Sequence, residues 1–152
     1  MKKLFLAMGL TALLSACAAP QTTAQAQTAV QNKQIVTGFY QEFFGNHDLT
    51  AADKYLADGY IQHNPLVADG KQALVDAAKQ WFQSGPKREI QFINVAAEND
   101  LVFVHVGSTL PNGDKRAVVD IFRVTNGKIS EHWDAFAVHK KDAPSANPHP
   151  LY

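Results

Sequence analysis

The spacing of apolar residues changes at Pro86 and predicts helices before it and strands after it. Between residues 30 and 44, apolar side chains recur every three or four positions, as on one face of a helix. Gly45 follows this pattern directly and is placed to end the helix.

Two further helices are predicted before the change of pattern. Thr50, with Asp53 three residues later, resembles a capping box and predicts a short helix that ends near Ala57. Asp69 is predicted to cap a third helix, which Gly85-Pro86 ends. The apolar face of this third helix consists of Leu74, Ala78, Trp81 and Phe82.

Four segments after Pro86 alternate apolar and polar residues, as strands with one buried face do. Asn99-Asp100, Asn112-Gly113 and Asn126-Gly127 separate them, and such pairs are typical of hairpin turns. The predicted fold class is therefore α+β, an antiparallel meander that curls around three N-terminal helices and leaves a cavity between the layers. The segments are REIQFINVAAE, LVFVHVGSTL, KRAVVDIFRVT and KISEHWDAFAVHK.

The first 17 residues have the pattern of a bacterial lipoprotein signal peptide. Lys2 and Lys3 precede an apolar stretch over residues 4–14 that is short for a membrane span. The segment Leu14-Ser15-Ala16-Cys17 resembles a lipobox, in which the cysteine is lipidated. We therefore expect a membrane anchor through Cys17.

The rest of the chain is expected to hold a tether, one domain and a tail. Residues 18–29 are rich in Ala, Gln and Thr and predict a flexible tether, with an amphipathic helix as the lesser alternative. Residues 30–140 suit one compact domain, and residues 141–152 form a Pro-rich tail. Alanines after Cys17 resemble lipoproteins sorted to the outer membrane, so the expected location is the envelope, with the domain facing the periplasm.

Composition and charge exclude several classes of function. Because the chain has 1 cysteine, at the lipidation position, its domain has no expected disulfide, thiolate metal site or Cys nucleophile. Without Lys2 and Lys3, the chain carries 12 basic and 14 acidic side chains, a poor balance for binding nucleic acid. It contains no phosphate-binding loop, dinucleotide fingerprint or GxSxG elbow, which argues against a nucleotide cofactor or a Ser hydrolase.

Polar residues interrupt the predicted strands at Asp120, His132 and Asp134. Counting back from the hairpin turns places Asn94 opposite His105 and His105 opposite Asp120. At the last hairpin, a two-residue turn would place Asp120 opposite Trp133. A three-residue turn with a bulge would place it opposite His132, and we favour this form because it gathers the polar residues on one face.

This register predicts a polar row, Asn94, His105, Asp120 and His132, with Asp134 diagonal to it. Phenylalanines surround the row, namely Phe92, Phe103, Phe122 and Phe136. Because an unpaired carboxylate in an apolar pocket is costly, the row indicates a functional pocket. The structural alternatives are a satisfied core histidine at position 105 and an ion pair of Asp120 with Lys115, Arg116 or Arg123. No HxH or HxxH pattern occurs, and no metal is expected.

The segments GYIQHNPLVADGKQAL and VVDIFRVTNGKISEHWDAF resemble the SnoaL-like proteins of the nuclear transport factor 2-like superfamily. The resemblance covers Val30 to about Val138 and implies a cone-shaped α+β fold that is often dimeric through its outer sheet face. It assigns the acid/base role to Asp134, and it places Asp120 where the related cyclases have a cavity histidine. It also implies that His63 and Asn64 line the mouth of the cavity, and that no metal or organic cofactor is needed.

The first functional hypothesis is acid/base catalysis on a small carbonyl compound, of aldol, cyclase or isomerase type. Asp134 would be the base, and Asp120 would orient His105 or His132. The expected substrate-binding residues are His63, Asn64, Tyr60, Phe122 and Phe103.

Two other hypotheses use the same fold. One is a lipoprotein that binds a small molecule without converting it. The other is an interaction domain, dimeric through an outer sheet face composed of Val102, Val104, Val119 and Ile121.

Overall fold

The computed structural model describes residues 19–83 and 85–152, with side chains from residue 25 onward. The predicted signal peptide, with Cys17, lies outside the described residues. Among the described helices, none is both long and apolar enough to cross a membrane.

Three helices precede the meander, as predicted. α1 spans Ala19–Phe39 and continues directly into a π-helical turn, Tyr40–Gly45. α2 spans Ala51–Tyr55, and α3 spans Lys71–Trp81. The segment that the composition predicts to be a tether is thus helical from Ala19, and its described side chains at positions 25–28 are exposed.

Neither predicted N-cap is formed by the expected side chain. Thr50 makes no capping bond to α2; instead, the Asp48 carboxylate accepts hydrogen bonds from the Thr50 amide and hydroxyl. Gly70, with a positive φ of 97°, precedes α3. Asp69 turns away from that helix and accepts a hydrogen bond from the Gln62 amide at 2.7 Å.

The sheet has five strands in the order β1-β5-β4-β3-β2. The strands are β1 Leu56–Gln62, β2 Phe92–Glu98, β3 Leu101–Thr109, β4 Lys115–Thr125 and β5 Lys128–His139. β2 to β5 form the predicted antiparallel meander. The sequence analysis did not predict β1, which joins β5 in parallel. The predicted α+β fold, a curved sheet against three helices, is confirmed.

The core lies between the inner sheet face and the α1–π segment. Phe39, Phe43 and Phe122 are buried to 1% exposure or less, and the rings of Phe39 and Phe122 meet edge to face at 6.1 Å. Val102 and Val104 are fully buried on this inner face. Their assignment to an outer interaction surface was therefore wrong.

The second hairpin differs from its predicted register by one residue. Thr109, not Leu110, is opposite Lys115, so the connection has one residue more than predicted. As a result His105 is opposite Val119, and Asp120 is opposite Val104. The pairing of Asn94 with His105 is confirmed, but both lie on the outer face, away from Asp120.

The last hairpin combines features of both predicted forms. Thr125 pairs with Lys128 across a two-residue turn, in which Asn126 and Gly127 both have positive φ, as in a type I′ turn. A bulge then follows in β5 at Ser130. Asp120 is consequently opposite Asp134, so both predicted partners, Trp133 and His132, were wrong.

Candidate functional site

Three ionisable side chains meet on the inner sheet face, Asp120 from β4 and His132 and Asp134 from β5. Each can place a donor atom within 4.8 Å of those of the other two. Asp120 and His132 are only 6% and 9% exposed, while Asp134 is half-buried. The bulge at Ser130 adds one residue to the two-residue register, which keeps His132 and Asp134 on the same face as Asp120.

The Asp120–His132 contact must hold a proton. His132 Nε2 lies 3.0 Å from Asp120 Oδ1, and Nδ1 lies 2.8 Å from Gln62 Oε1. Two further hydrogen bonds orient the Gln62 side-chain amide. The backbone N–H of Asn64 donates to its Oε1, and its own Nε2 donates to the Tyr60 hydroxyl. Since Nδ1 must donate to Gln62, the proton between His132 and Asp120 belongs either to an imidazolium or to a carboxylic acid.

Tyr40 supplies a second donor to Asp120. Its hydroxyl donates to Asp120 Oδ2 at 2.9 Å in a buried contact. Tyr40 is the first residue of the π-helical turn, and such turns often lie at functional sites. Asp120 therefore interacts through both oxygens, which fixes its position at the centre of the site.

β1 brings three polar side chains to the same face by strict alternation. Tyr60, Gln62 and Asn64 point inward, at and just beyond the end of the strand. Asn64 Nδ2 donates to Asp134 Oδ2 at 2.7 Å. Within the described part of the chain, Asp134 Oδ1 receives no hydrogen bond, so this oxygen is available to a bound molecule.

Burial keeps both tyrosines of the site in the neutral form. Loss of solvation, followed by the charge of Asp120, raises the pKa of the Tyr40 phenol well above its usual range. Burial, followed by the charges of Asp120 and Asp134, raises the pKa of Tyr60 as well. Both hydroxyls therefore keep their protons; the Tyr40 hydroxyl donates to Asp120, and the Tyr60 hydroxyl accepts from Gln62 Nε2.

These raised pKa values predict alkaline destabilisation. The unfolded chain releases its tyrosine protons from about pH 10, whereas folded Tyr40 and Tyr60 retain theirs, so stability is full below that pH and falls as pH rises above it. Tyr40→Phe should make this fall shallower. Urea unfolding at several pH values between 8 and 11.5 measures it, and equal slopes for wild type and variant would contradict the assignment.

Asp120, His132 and Asp134 are also the residues that could hold a metal ion. Their donor atoms are close enough to share one cation. However, both Asp120 oxygens and both His132 nitrogens already take part in the contacts with Tyr40, Gln62 and each other. A cation would have to replace these hydrogen bonds.

Several predicted site residues lie elsewhere. His105 and Phe103 are on the outer face, where His105 Nδ1 is 3.4 Å from the Asn94 amide nitrogen. The His63 ring stacks on Trp133, also an outer-face residue, with centroids 4.5 Å apart. Phe122 is on the inner face but fully buried, and its ring packs against the His132 ring.

The predicted structural alternatives for Asp120 do not occur among the described contacts. Arg123 instead forms ion pairs with Asp100 and Glu131, and Lys115 bonds to the Thr109 hydroxyl. Arg116 forms no bond to Asp120, although it lies on the same face.

Beyond Asp134, the inner face becomes an open apolar surface. Phe136 and Val138 follow on β5 with 53% and 41% of their surface exposed. Arg116 on β4 lies opposite Val138, and its guanidinium lies 4.7 Å from the centroid of the Phe136 ring. We call these residues, with Val118, the concave apolar end of the site.

Sequence reasoning missed Tyr40 and Gln62, and it considered Arg116 only as an ion-pair partner of Asp120. The alternation of Tyr60, Gln62 and Asn64 was a usable signal for Gln62. Tyr40 was included in an apolar helix face, and nothing in the helical pattern marks its hydroxyl.

Comparison with known proteins gives a consistent family. The sequence profile described as a SnoaL-like domain matches residues 36–132. No curated protein matches the chain. Among solved structures, a candidate ketosteroid isomerase from Kribbella flavida has a TM-score of 0.61 at 15% identity, covering 81% of this chain and 93% of its own.

Two further structures are similar to this chain. A candidate polyketide cyclase from Acidithiobacillus ferrooxidans has a TM-score of 0.59 at 18% identity, with 70% of this chain and 87% of its own covered. An epoxide hydrolase from M. tuberculosis, described as LEH-like, has a TM-score of 0.58 at 17% identity, with 72% and 85% covered. At these identities the likeness concerns the fold.

Proposed function

The chain belongs to the SnoaL-like domain family, and from that premise we propose that it catalyses cofactor-independent acid/base chemistry on a small carbonyl compound. The similar structures include proteins described as a cyclase, an isomerase and a hydrolase, and this supports a role in small-molecule catalysis or binding. The reaction class proposed is removal and return of a proton next to a carbonyl, the shared step of aldol, cyclase and isomerase reactions.

One observation carries this proposal: a half-buried carboxylate lies beside a buried pair that holds a proton. Among the described residues, Asp134 Oδ1 receives no hydrogen bond, whereas both Asp120 oxygens and both His132 nitrogens take part in hydrogen bonds. A base and an acid within one small space are what proton removal and return require. The stability of the sheet does not require Asp134 to lie beside the Asp120–His132 pair.

The steps follow from these positions. The Asp134 carboxylate takes the proton from the carbon next to the carbonyl, and the electrons of that C–H bond form a carbon–carbon double bond. The carbonyl oxygen gains the electrons of its double bond and takes the proton held between Asp120 and His132, and the hydrogen bond between those two side chains is broken. Tyr40 donates to Asp120 throughout and stabilises the negative charge left on it.

Exchange of hydrogen for deuterium tests this reaction class without knowledge of the natural substrate. Cyclohexanone, acetophenone and levulinate are incubated with the protein in D₂O, and the loss of α-proton signals is followed by NMR. We expect faster exchange than with heat-unfolded protein for at least one compound. Equal rates for all three would contradict the proposal.

Asp120→Asn should change the pH dependence of exchange, because the amide cannot hold the proton shared with His132. The plot of exchange rate against pH should change its shape between pH 5 and 9, and not only its maximum rate. Circular dichroism of the variant checks the fold. An unchanged profile would contradict the role of the Asp120–His132 pair as the proton donor.

A second candidate function, binding without conversion, is favoured by the openness of the concave apolar end. Phe136 is more than half exposed there, whereas proton transfer from carbon is usually protected from water. If the protein is such a carrier, Asp134 and Asp120 variants change ligand affinity but no compound is consumed.

We also propose that the protein is anchored and dimeric. The lipobox-like segment at Cys17 supports anchoring in the outer membrane, facing the periplasm, which palmitate labelling of wild type and Cys17→Ala would test.

The outer face of the sheet supports a dimer. It carries Ile121, Trp133 and the 40%-exposed Val119, an apolar surface suited to a second copy of the chain. Sedimentation equilibrium would test the dimer.

A further inference from the structure

The Arg116 side chain lies on the inner sheet face and is the basic group of the concave apolar end. It is four residues from Asp120 on β4, and alternate residues of a strand share a face. Its guanidinium lies over the Phe136 ring, and its Nε atom is buried without a hydrogen-bond partner. Its charge is close enough to act on the Tyr40 phenol.

A buried nitrogen without a hydrogen-bond partner sets the Arg116 side chain apart from the other basic side chains of the described chain. Arg123 on the opposite face of the same strand has two carboxylate partners, Asp100 and Glu131. Among the residues that the structure describes, the Arg116 side chain has no ion pair and no hydrogen bond, only the contact with the Phe136 ring. In the described part of the chain, the lysines and arginines that form ion pairs are Lys54, Lys71, Lys79, Arg123, Lys140 and Lys141.

A buried, unpartnered N–H group of a cation reduces the stability of a fold. Such a group does not stabilise the fold by itself, so its presence is explained by a partner from outside the chain. A guanidinium has donors in a planar fork, which fits the two oxygens of a carboxylate.

We propose that Arg116 binds the carboxylate of a small monoanionic compound whose apolar part lies on Phe136. This inference rests on the proposed function, since the compound would be the substrate or ligand of the same site. The residues beside Arg116 on the inner face carry no charge, so one guanidinium matches one negative charge; they are Ser108, Val118, Phe136 and Val138. This favours a carboxylate over a doubly charged phosphate.

The same arrangement orients the compound. The Asp134 carboxylate repels an anion, so the charged end of the compound lies away from Asp134, at Arg116, and its carbonyl end lies at the acid and base. At a strand rise of about 3.3 Å per residue, the Cα atoms of Arg116 and Asp120 are about 13 Å apart, and both side chains shorten the gap. A small molecule can span this distance.

Three aryl compounds test the charge preference, namely benzoate, neutral benzamide and phenyl phosphate. Each is titrated into ¹⁵N-labelled protein, and shifts of amide and arginine Nε–H signals give the affinity. We expect benzoate to bind about tenfold or more tightly than benzamide, the gain of a hydrogen-bonded charge pair. Tighter binding of phenyl phosphate, or equal binding of benzamide, would overturn the proposal.

Arg116→Met should reduce benzoate affinity to that of benzamide. The matched control is Lys115→Met, which removes the same charge one residue away on the other face and should leave affinity unchanged. Because Arg116 lacks a partner, Arg116→Met is expected to unfold at the same or a higher temperature than wild type. Undiminished benzoate binding by Arg116→Met would overturn the proposal.

Arg116→Lys provides a second variant, which keeps the charge but loses the fork. It should bind benzoate more weakly than wild type, and equal binding would overturn recognition by the fork. Failure of this inference is distinguishable from failure of the proposed function. If benzoate binds through Arg116 but no ketone exchanges its α-protons, only the proposed catalysis is contradicted. If a ketone does exchange but Arg116→Met binds benzoate as wild type does, only this inference is contradicted.

Discussion

Replacing Asp134 by asparagine should slow α-proton exchange by about 100- to 10,000-fold, the usual contribution of a general base. The amide has nearly the shape of the carboxylate, and Asn64 can still hydrogen-bond to its oxygen. The loss would therefore come from the missing base rather than from a rearranged site. NMR-detected exchange in D₂O measures it, with circular dichroism to verify the fold.

An exposed carboxylate provides the control for this variant. Asp142 lies in the tail, with only a 3.9 Å contact to the Lys141 ammonium, so Asp142→Asn should exchange at the wild-type rate. Exchange by Asp134→Asn at the wild-type rate would remove Asp134 as the base. If both variants lose activity equally, the effect is one of overall charge.

The largest effect on stability is expected for Phe122→Ala. This side chain is 1% exposed and meets the rings of Phe39, Tyr40 and His132. Removing it leaves a cavity in the centre of the core, and such substitutions lower the free energy of unfolding by about 3–5 kcal/mol. Urea unfolding followed by tryptophan fluorescence measures the change.

Phe103→Ala is the matched control for the core substitution. It removes the same ring from the outer face, one strand away, where the side chain is only partly buried. Its loss of stability should be clearly smaller. Equal losses would mean that the outer face is covered as fully as the core, which would support a second copy of the chain there.

The sequence predicted where the hairpin turns lie, but not the irregularities that decide register. The Asn126-Gly127 turn follows from residue type, because both positions require positive φ. The bulge at Ser130 leaves no such signal, since the residue is ordinary in a strand. The prediction used a three-residue turn where the structure has a two-residue turn and a bulge. Both arrangements place His132 on the same face as Asp120, so the face was predicted correctly although the pairing was wrong.

At the second hairpin, a one-residue error had the opposite result. The longer connection before Lys115 moves every β3 side chain to the other face relative to the prediction. His105 thereby leaves the site, and Val104 takes its place opposite Asp120. A loop of mixed polar residues does not reveal its length in advance.

β1 could not be predicted from local pattern. Its sequence, LADGYIQ, includes Asp58 and Gly59, both unfavourable in strands. Parallel pairing with β5, far along the chain, compensates for this weak propensity. The polar residues of this strand therefore entered the analysis through family resemblance rather than through a predicted position in the sheet.

The π-helical turn at Tyr40–Gly45 has a consequence for insertions and deletions. Each residue of a regular helix advances by about 100° around the axis, so removal of one residue here would rotate all that precedes it by that amount. Phe39 would then lose its place against Phe122, or Tyr40 its bond to Asp120. The length of this turn is therefore fixed by the two neighbours, Phe122 and Asp120, that its flanking residues must contact together.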